Sequence, residues 1–411
     1  WDANTGEPLT AELAQAARAE EIDFMLNWQF WEEVPVAECY ERTGKKPLGG
    51  KWVDVNKGDS EQPLVRCRYV AQEIAFTRSD DFFAATPPLE ALRLMISHAA
   101  SNRKKGYNIL VMDARKAHLH AYADREIYVE LPPELRKPGV CAKLRRCLYG
   151  TRDAPARWEA FLADELMKAG FTRGAASACC FYHKQRDLRC IVHGDDFVFV
   201  GNDADLLWME EQMRQRFLVK VVGTLGGDET DLKELCILNR VLRWTEHGIL
   251  YEADPRHAEL LVQSLAADKR QVSTPGVKRK PNGAKESEED DLEYADEDEP
   301  LNPKRASLFR SCVARANYLG MDRPDLAFAA KELCRRMSAP REGDLEALRR
   351  LAQYRLHAPR MVYTFTWQDQ GALKAYVDTD FAGCLATRRS TSGGCVMHGG
   401  HLIKHWATTQ K

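Results

Sequence analysis

Residues 190–201 constrain the fold of this chain more than any other segment. Two runs rich in β-branched and aromatic residues flank Gly194, Asp195 and Asp196, and glycine accommodates the positive φ of a tight hairpin turn. The pattern predicts a buried hairpin with two adjacent carboxylates at its tip. Because such acids are costly to bury without a neutralising cation, we expect a divalent metal, and hard oxygen ligands suit magnesium. A solvated Asp-Asp turn is the alternative interpretation.

An apolar strand that ends in an acid precedes this hairpin. Residues 109–112 are apolar and Asp113 follows them, so Asp113 completes a carboxylate cluster if its strand lies beside the hairpin. Two metal ions about 4 Å apart, held by such acids, stabilise both the attacking and the leaving oxygen of an in-line phosphoryl transfer. A third segment, at 147–158, is a loop containing glycine and proline that leads into a helix.

The length and the apolar periodicity indicate the fold class. The 411 residues exceed what one hydrophobic core usually holds, so we expect two or three domains. Helices interspersed with hairpin strands favour an α+β fold over a regularly alternating parallel sheet. The predicted helices cover residues 89–100, 155–170 and 345–356, and the predicted strands cover 107–113, 126–131, 181–183, 190–193 and 197–201.

Charge is segregated along the chain although the net charge is −2. That balance excludes a uniformly basic nucleic-acid coat and a wholly acidic disordered chain. Residues 286–299 contain ten acids and no base, so about 275–300 is predicted to be a solvated linker. Residues 136–152 contain six lysines or arginines and no acid, a run expected to meet phosphates or to be a solvated face.

Three further features bear on location. No apolar stretch approaches the roughly 18–20 residues of a membrane-spanning helix. None of the twelve cysteines forms a Cys-x-x-Cys pair, which argues against a zinc ribbon. We therefore expect a soluble, intracellular protein without a membrane partner, in a cytoplasmic particle or the nucleus. The chain starts at Trp1 without a leader, and we expect a fragment of a longer reading frame.

The three segments, taken in their order along the chain, resemble the reverse transcriptase of copia-type long-terminal-repeat retrotransposon Pol polyproteins. Any one motif is weak evidence, but ten in the family's order are specific. The central matches are Met-Asp-Ala-Arg-Lys-Ala-His-Leu at 112–119, the loop at 148–158 and Gly-Asp-Asp at 194–196. The others lie at 50–53, 65–71, 80–87, 273–275, 309–311, 317–326 and 337–340. Residues 373–394 resemble the opening strands of the RNase H domain of those polyproteins.

The resemblance implies a fold and a division into domains. The expected fold is α+β, a right-hand polymerase fold with fingers and a palm built on an antiparallel sheet. A thumb or connection segment and a truncated RNase H-like α/β domain follow it. The expected boundaries are 1–49 for a lead-in, 50–235 for fingers and palm, 236–372 for the thumb and connection, and 373–411 for the RNase H-like part.

The resemblance also implies an activity. An RNA-directed DNA polymerase transfers a nucleotide from a dNTP to a primer 3′-hydroxyl, and the family uses two Mg²⁺ ions, with Mn²⁺ as the alternative. The implied partners are an RNA or DNA template with its primer, dNTPs, and a dimer partner or other Pol polyprotein parts.

Individual residues receive roles from the resemblance. Asp113, Asp195 and Asp196 match the catalytic, metal-binding triad. Asp378 matches the first metal-binding carboxylate of RNase H, and because one carboxylate cannot hold two ions we expect no RNase H activity from this chain. The expected nucleotide-binding residues are Arg66, Arg68, Ala114, His118, Tyr149, Gly150 and Arg152. The alternatives are simple solvation for Arg66 and Arg68, and packing within its own loop for Tyr149.

Several positions depart from the family pattern. His118 stands where the family usually has the phenylalanine that rejects a 2′-hydroxyl, and His193-Gly194 replaces Tyr-Val before the acids. Residues 236–242 lack the glycine of a strand that helps to hold the primer, and Asn239 lies within them. These departures favour the alternative of a degenerate or domesticated element product that binds nucleic acid without polymerising. A stand-alone metal nuclease is a weaker third hypothesis.

Overall fold

The computed structural model describes residues 1–59, 61–74, 82, 84–265, 267, 270, 272–276, 299–384 and 387–411. No helix among them is long and apolar enough to span a membrane. The described helices are α1 (Ala11–Asn27), α2 (Val36–Thr43), α3 (Leu89–Ser101), α4 (Ala154–Lys168), α5 (Asp203–Arg216), α6 (Arg256–Ser264), α7 (Pro303–Gly320), α8 (Pro324–Cys334) and α9 (Glu342–His357).

The strands are also numbered in chain order. They are β1 (Trp31–Pro35), β2 (Gly50–Asn56), β3 (Val65–Ala71), β4 (Tyr107–Ala114), β5 (Tyr128–Val129), β6 (Val140–Leu144), β7 (Thr172–Arg173), β8 (Cys180–His183), β9 (Leu188–His193), β10 (Asp196–Asn202), β11 (Val219–Leu225), β12 (Glu234–Ile237), β13 (Arg240–Trp244), β14 (Gly248–Ala253), β15 (Val362–Thr366), β16 (Leu373–Thr379), β17 (Thr391–His398) and β18 (His401–Thr409).

The chain divides into two compact units. Unit 1 comprises Trp1–Pro87, Met112–Phe199 and Ala204–Val222. Unit 2 comprises Pro88–Val111, Val200–Asp203 and Gly223–Lys411. Both contain helices together with sheets, so the combination of helices and sheets that the predicted α+β fold requires is confirmed.

The largest sheet has the strand order β11-β4-β10-β9-β8-β7. Its strand β4 is buried at seven of eight positions, and the exception is Asp113. A strand covered on both faces has a continuous apolar sequence rather than an alternating one, which explains the run at 109–112. β9 and β10 are joined by the two-residue turn Gly194–Asp195. The sheet therefore places the end of β4 beside the start of β10.

The antiparallel hairpin of β2 and β3 gives unit 1 an exposed basic face. Because side chains alternate along a strand, Arg66 and Arg68 point to solvent, while Cys67 and Tyr69 are buried on the opposite face. Tyr69 belongs to a core cluster that also contains Phe30 and residues of the three-stranded sheet β1-β6-β5. Burial of one face of β3 thus fixes which side chains the other face displays.

Unit 2 is built on two sheets and four consecutive helices. The sheets have the orders β12-β13-β14-β15 and β16-β17-β18, with neighbouring strands antiparallel. Helices α6 to α9 share a core cluster that includes the fully buried Phe309, Leu326 and Leu348. The β12–β13 turn consists of Leu238 and Asn239, which both have positive φ.

A buried carboxylate links several elements of unit 2. Asp322 is 2 % exposed, and its Oδ1 accepts hydrogen bonds from Arg93 Nη2 at 2.8 Å and from the Tyr251 hydroxyl at 2.5 Å. Its Oδ2 accepts from Arg240 Nη2 at 2.7 Å. Burial alone would raise the pKa of Asp322, but the two arginines and the tyrosine outweigh it and the pKa is lowered. The group ties α3 to β13 and β14 through Asp322, which lies between α7 and α8.

The predicted elements are present with shifted ends. The helices predicted at 89–100, 155–170 and 345–356 correspond to α3, α4 and α9. The strand predicted over 126–131 is reduced to β5, and the Glu130 N–H beyond it donates to the Leu48 carbonyl oxygen rather than to β6. The acidic stretch at 286–298 and residues 80, 81 and 83 of the segment at 80–87 lie outside the described residues.

Part of the basic run at 136–152 forms ion pairs with glutamates within unit 1. Lys137 pairs with Glu33 at 2.6 Å, and Arg145 pairs with Glu32 at 3.1 Å. The antiparallel register of β1 and β6 brings these oppositely charged strands together, which local sequence does not show. Lys137 and Arg145, which the sequence suggested could bind phosphates, thus pair with carboxylates of β1.

Candidate active site

Three carboxylates from neighbouring strands meet at one place in unit 1. Asp113 is the penultimate residue of β4, Asp196 is the first residue of β10, and Asp195 lies in the turn before it. One ligand oxygen from each carboxylate lies within 4.8 Å of the other two. In the part of the chain that the structure describes, no other group of three His, Cys, Asp or Glu side chains is arranged to share an ion.

The backbone joins the two segments that carry these acids. The Ala114 N–H donates a hydrogen bond to the Asp195 carbonyl oxygen at 2.8 Å. Gly194 has a φ of +64°, and a Cβ at this position would meet no atom within 4 Å. The turn therefore requires glycine for its left-handed conformation and not for space. Strand pairing and turn geometry together set the spacing of the carboxylates.

Two carboxylates of the cluster, Asp113 and Asp196, resist ionisation. Burial, followed by the charges of Asp195 and Asp113, raises the pKa of Asp196 to about 6. Burial and then the charge of Asp195 also raise the pKa of Asp113. A divalent cation relieves both effects because it supplies the missing positive charge. Three carboxylates that offer hard oxygen ligands and repel one another fit Mg²⁺ or Mn²⁺.

His118, Tyr149 and Arg68 form a stack near the carboxylates. The rings of His118 and Tyr149 lie 4.8 Å apart, and the Arg68 guanidinium lies 5.0 Å from the Tyr149 ring centroid. Burial lowers the pKa of His118, raises that of Tyr149 to about 12, and the charge of Asp195 acts on both groups. His118 Nδ1 is buried without a hydrogen-bond partner among the described residues. The group thus contains an imidazole that burial keeps neutral, and the Nδ1 of that imidazole is itself buried.

The remaining nucleotide-site candidates occupy different places. Gly150 has a φ of +85°, and a Cβ there would lie 2.0 Å from the Ala71 carbonyl oxygen, so the backbone approach needs glycine. The Arg152 guanidinium lies 4.9 Å from the Phe82 ring centroid, and the Arg152 backbone N–H donates to Glu73 Oε2 at 2.8 Å. The expected role of Arg152 stays a prediction.

Asp378 lies in unit 2, on the exposed strand β16 opposite Gly393 of β17. Its Oδ1 accepts a hydrogen bond from the Thr379 N–H at 2.8 Å. The described residues place no second carboxylate and third ligand with it in a metal-holding group. Its assignment as an RNase H residue stays a prediction.

Two cations to which the sequence motifs gave no role, Lys220 and Arg115, also act on the cluster. The charges of Lys220, on β11, and Arg115 both favour the ionised form of Asp113, as does Arg66. β11 is the neighbour of β4 in the sheet, and the Arg115 N–H donates to the Leu218 carbonyl oxygen at 2.7 Å. Lys220 is distant from the acids in sequence and belongs to no motif noted there, so only the strand order reveals it.

The fold and the site together define a mixed α/β protein with a carboxylate cluster suited to divalent ions. Residues 39–227 match the family described as "Reverse transcriptase (RNA-dependent DNA polymerase)". This range contains all three aspartates of the cluster. Residues 39–227 are therefore similar to that reverse transcriptase family, and the recognition predicted from the motifs is confirmed.

Relatives extend the match to nearly the whole chain. The Pol polyprotein from transposon RE1 of Arabidopsis thaliana is 25% identical over 423 residues, covering 98% of this chain. The polyprotein from transposon TNT 1-94 of Nicotiana tabacum is 26% identical over 392 residues, covering 90% of it. The chain spans 27% of the length of each relative. A foamy viral protease-reverse transcriptase, solved with double-stranded DNA, matches with a TM-score of 0.47 and 10% identity, covering 98% of this chain and 57% of the viral one.

Proposed function

We propose that this chain is an RNA-directed DNA polymerase of the copia type, which extends a primer on an RNA or DNA template. The observation that carries the proposal is the cluster of Asp113, Asp195 and Asp196, whose ligand oxygens lie within 4.8 Å of one another inside the reverse transcriptase match. A solvated Asp-Asp turn does not account for a third acid brought to it by a neighbouring buried strand.

The three carboxylates would hold two divalent ions, Mg²⁺ or Mn²⁺. When bound, such ions neutralise the charge that develops on the attacking and leaving oxygens of phosphoryl transfer. The raised pKa of Asp196 supports this role, because a cation stabilises the ionised form that the free protein disfavours. The fixed spacing of β4 and β10 would keep the ligands in place without reorganisation.

The other site residues would bind and orient the nucleotide. Arg66 and Arg68, exposed on one face of β3, would contact the triphosphate oxygens, and guanidinium groups suit such contacts. Lys220 would add positive charge beside Asp113. His118 and Tyr149, whose rings lie 4.8 Å apart, would pack against the sugar and base.

The elements of the two units fit the remaining assignments. The β2–β3 hairpin would be the core of the fingers, and β4, β9 and β10 would form the palm. Residues 236–372 would be the thumb and connection, and β16 to β18 would be the start of an RNase H-like domain. The relatives' names as retrovirus-related Pol polyproteins agree with a polymerase in this chain. The same proposal includes association with a dimer partner or with other Pol polyprotein parts.

The direct test measures dTTP incorporation on poly(rA)/oligo(dT) with Mg²⁺ or Mn²⁺. The unmodified chain should extend the primer, and the double variant Asp195→Asn, Asp196→Asn should lose at least about a hundredfold in rate, as expected when transition-state charge stabilisation is removed. Asp164→Asn is the matched control, because it removes one exposed carboxylate from α4 in the same unit.

Three outcomes separate the hypotheses. Incorporation that depends on the two aspartates and not on Asp164 supports the polymerase. Incorporation that is absent from the unmodified chain contradicts it and favours the degenerate or domesticated alternative. Incorporation that survives in the double variant rejects the assignment of the carboxylates.

A further inference from the structure

The buried indole of Trp158 lies against the turn that carries Asp195. Trp158 is on the first half of α4 and is 2 % exposed. Its Nε1–H donates a hydrogen bond to the Gly194 carbonyl oxygen at 2.8 Å. An indole offers one donor and no acceptor, so this contact uses its whole hydrogen-bonding capacity.

The contact acts on the peptide group that orients Asp195. The Gly194 carbonyl belongs to the peptide plane that immediately precedes Asp195, and the Asp195 carbonyl, in the following plane, accepts from the Ala114 N–H at 2.8 Å. Both peptide planes around Asp195 are therefore held from outside the hairpin. The Asp195 side chain is exposed and makes no hydrogen bond to a described residue, so its direction depends on these two backbone contacts.

The turn has two alternative forms that differ in this peptide. Gly194 has positive φ, whereas Asp195 does not, which is the pattern of a type II′ turn. A type I′ turn has positive φ at both residues, and aspartate tolerates that conformation. The two forms differ by a rotation of the central Gly194–Asp195 peptide, and the hydrogen bond from Trp158 is available to only one orientation of its carbonyl.

We propose that Trp158 is a positioning residue for the catalytic carboxylates, selecting the turn conformation that aims Asp195 at the metal ions. This inference rests on the proposed function of the carboxylate cluster. Trp158 is suited to the task because its ring packs against Phe217 at 5.5 Å and against His120 at 5.8 Å, while Phe161 lies 6.5 Å away. An indole locked by neighbouring rings presents its N–H in one direction.

The test replaces Trp158 by phenylalanine, which keeps a buried ring and removes the N–H. Mn²⁺ alone is titrated into the protein, and free Mn²⁺ is followed by electron paramagnetic resonance. We expect binding about three- to tenfold weaker than in the unmodified protein, the range of one hydrogen bond. In primer extension the variant should lose kcat with little change in KM for dTTP, because only the ion ligands are misdirected.

Phe161→Leu is the matched control, because it removes a ring near the same indole and leaves the N–H. It should bind Mn²⁺ like the unmodified protein. If both variants weaken binding equally, or if Trp158→Phe binds normally, the positioning role is wrong. If the unmodified protein binds Mn²⁺ no better than Asp195→Asn does, the metal site of the proposed function is itself wrong. This result differs from normal binding by the unmodified protein and by Trp158→Phe, which would contradict only the positioning role.

A measurement on the unmodified protein keeps the proposal open to refutation should Trp158→Phe fail to fold. The Trp158 indole N–H resonance in a ¹⁵N–¹H spectrum should exchange slowly with solvent and should shift when Mg²⁺ is added, because the bound turn and the indole share a hydrogen bond. Rapid exchange, or a resonance that ignores Mg²⁺ while other site signals move, overturns the inference.

Discussion

Removal of one carboxylate from the cluster of Asp113, Asp195 and Asp196 should stabilise the metal-free protein. Burial and two neighbouring acids raise the pKa of Asp196 to about 6, whereas the unfolded chain returns it to an ordinary value near 3.8. The unfolded state therefore ionises more readily. The contribution of Asp196 to the free energy of unfolding is therefore fully present below about pH 4, and it is lost as the pH rises through 6. Asp196→Asn removes the charge and should escape this loss.

The size of the effect follows from the two pKa values. A rise from 3.8 to about 6 corresponds to about 3 kcal/mol when the carboxylate is fully ionised in the folded protein. Asp196 retains partial access to solvent, and screening reduces the figure to about 1–2 kcal/mol. For a unit of this size, that corresponds to a melting temperature about 2–8 °C higher for Asp196→Asn at pH 7.5.

The assay is thermal melting in the presence of a chelator, at pH 7.5 and at pH 4.5. The variant should be more stable at the higher pH, and the difference should shrink at the lower one. Added Mg²⁺ should stabilise the unmodified protein more than the variant, because it binds the folded carboxylates. The exposed Asp164→Asn should change the melting temperature by about 1 °C or less. A variant that melts at or below the unmodified protein at pH 7.5 refutes the reasoning.

Three other predictions test different parts of the chain. Asp322→Asn leaves two buried arginines without their carboxylate and should cost about 3–5 kcal/mol in urea unfolding; a loss below about 1 kcal/mol contradicts the network. Replacing Leu238-Asn239 by Asn-Gly should raise the free energy of unfolding by about 1 kcal/mol, because leucine has positive φ in this turn; unchanged stability argues against strain. His118→Phe should lower the use of rNTPs relative to dNTPs in primer extension, because a larger apolar ring leaves less room for a 2′-hydroxyl. An unchanged ratio rejects His118 as the sugar gate.

Local features of the fold were open to prediction from neighbouring residues. The helix at α4 begins with Pro155 near its start and ends before Gly170, as the sequence indicated. The hairpin at β9 and β10 followed from Gly194 between two β-rich runs. Such features depend on φ preferences and apolar spacing within a few residues, so a short segment contains the information.

Other features could not be anticipated in this way. The basic run at 136–152 appeared free to meet phosphates, yet glutamates of β1 engage part of it. No sequence motif marks Lys220, because its proximity to Asp113 arises from the order of strands in the sheet. Charges separated by many residues can pair only after the chain has folded, and the register of two distant strands decides which ones do.

The candidate site shows where this division lies. Reading the chain residue by residue was enough to identify Asp113, Asp195 and Asp196 as the acids of interest and to predict a turn at Gly194. Their convergence within 4.8 Å depends on β4 packing beside β10, and the hydrogen bond from Trp158 to Gly194 depends on how α4 packs. Residue chemistry and backbone preference are local properties, whereas the distance and direction of side chains from separate segments are set by long-range packing.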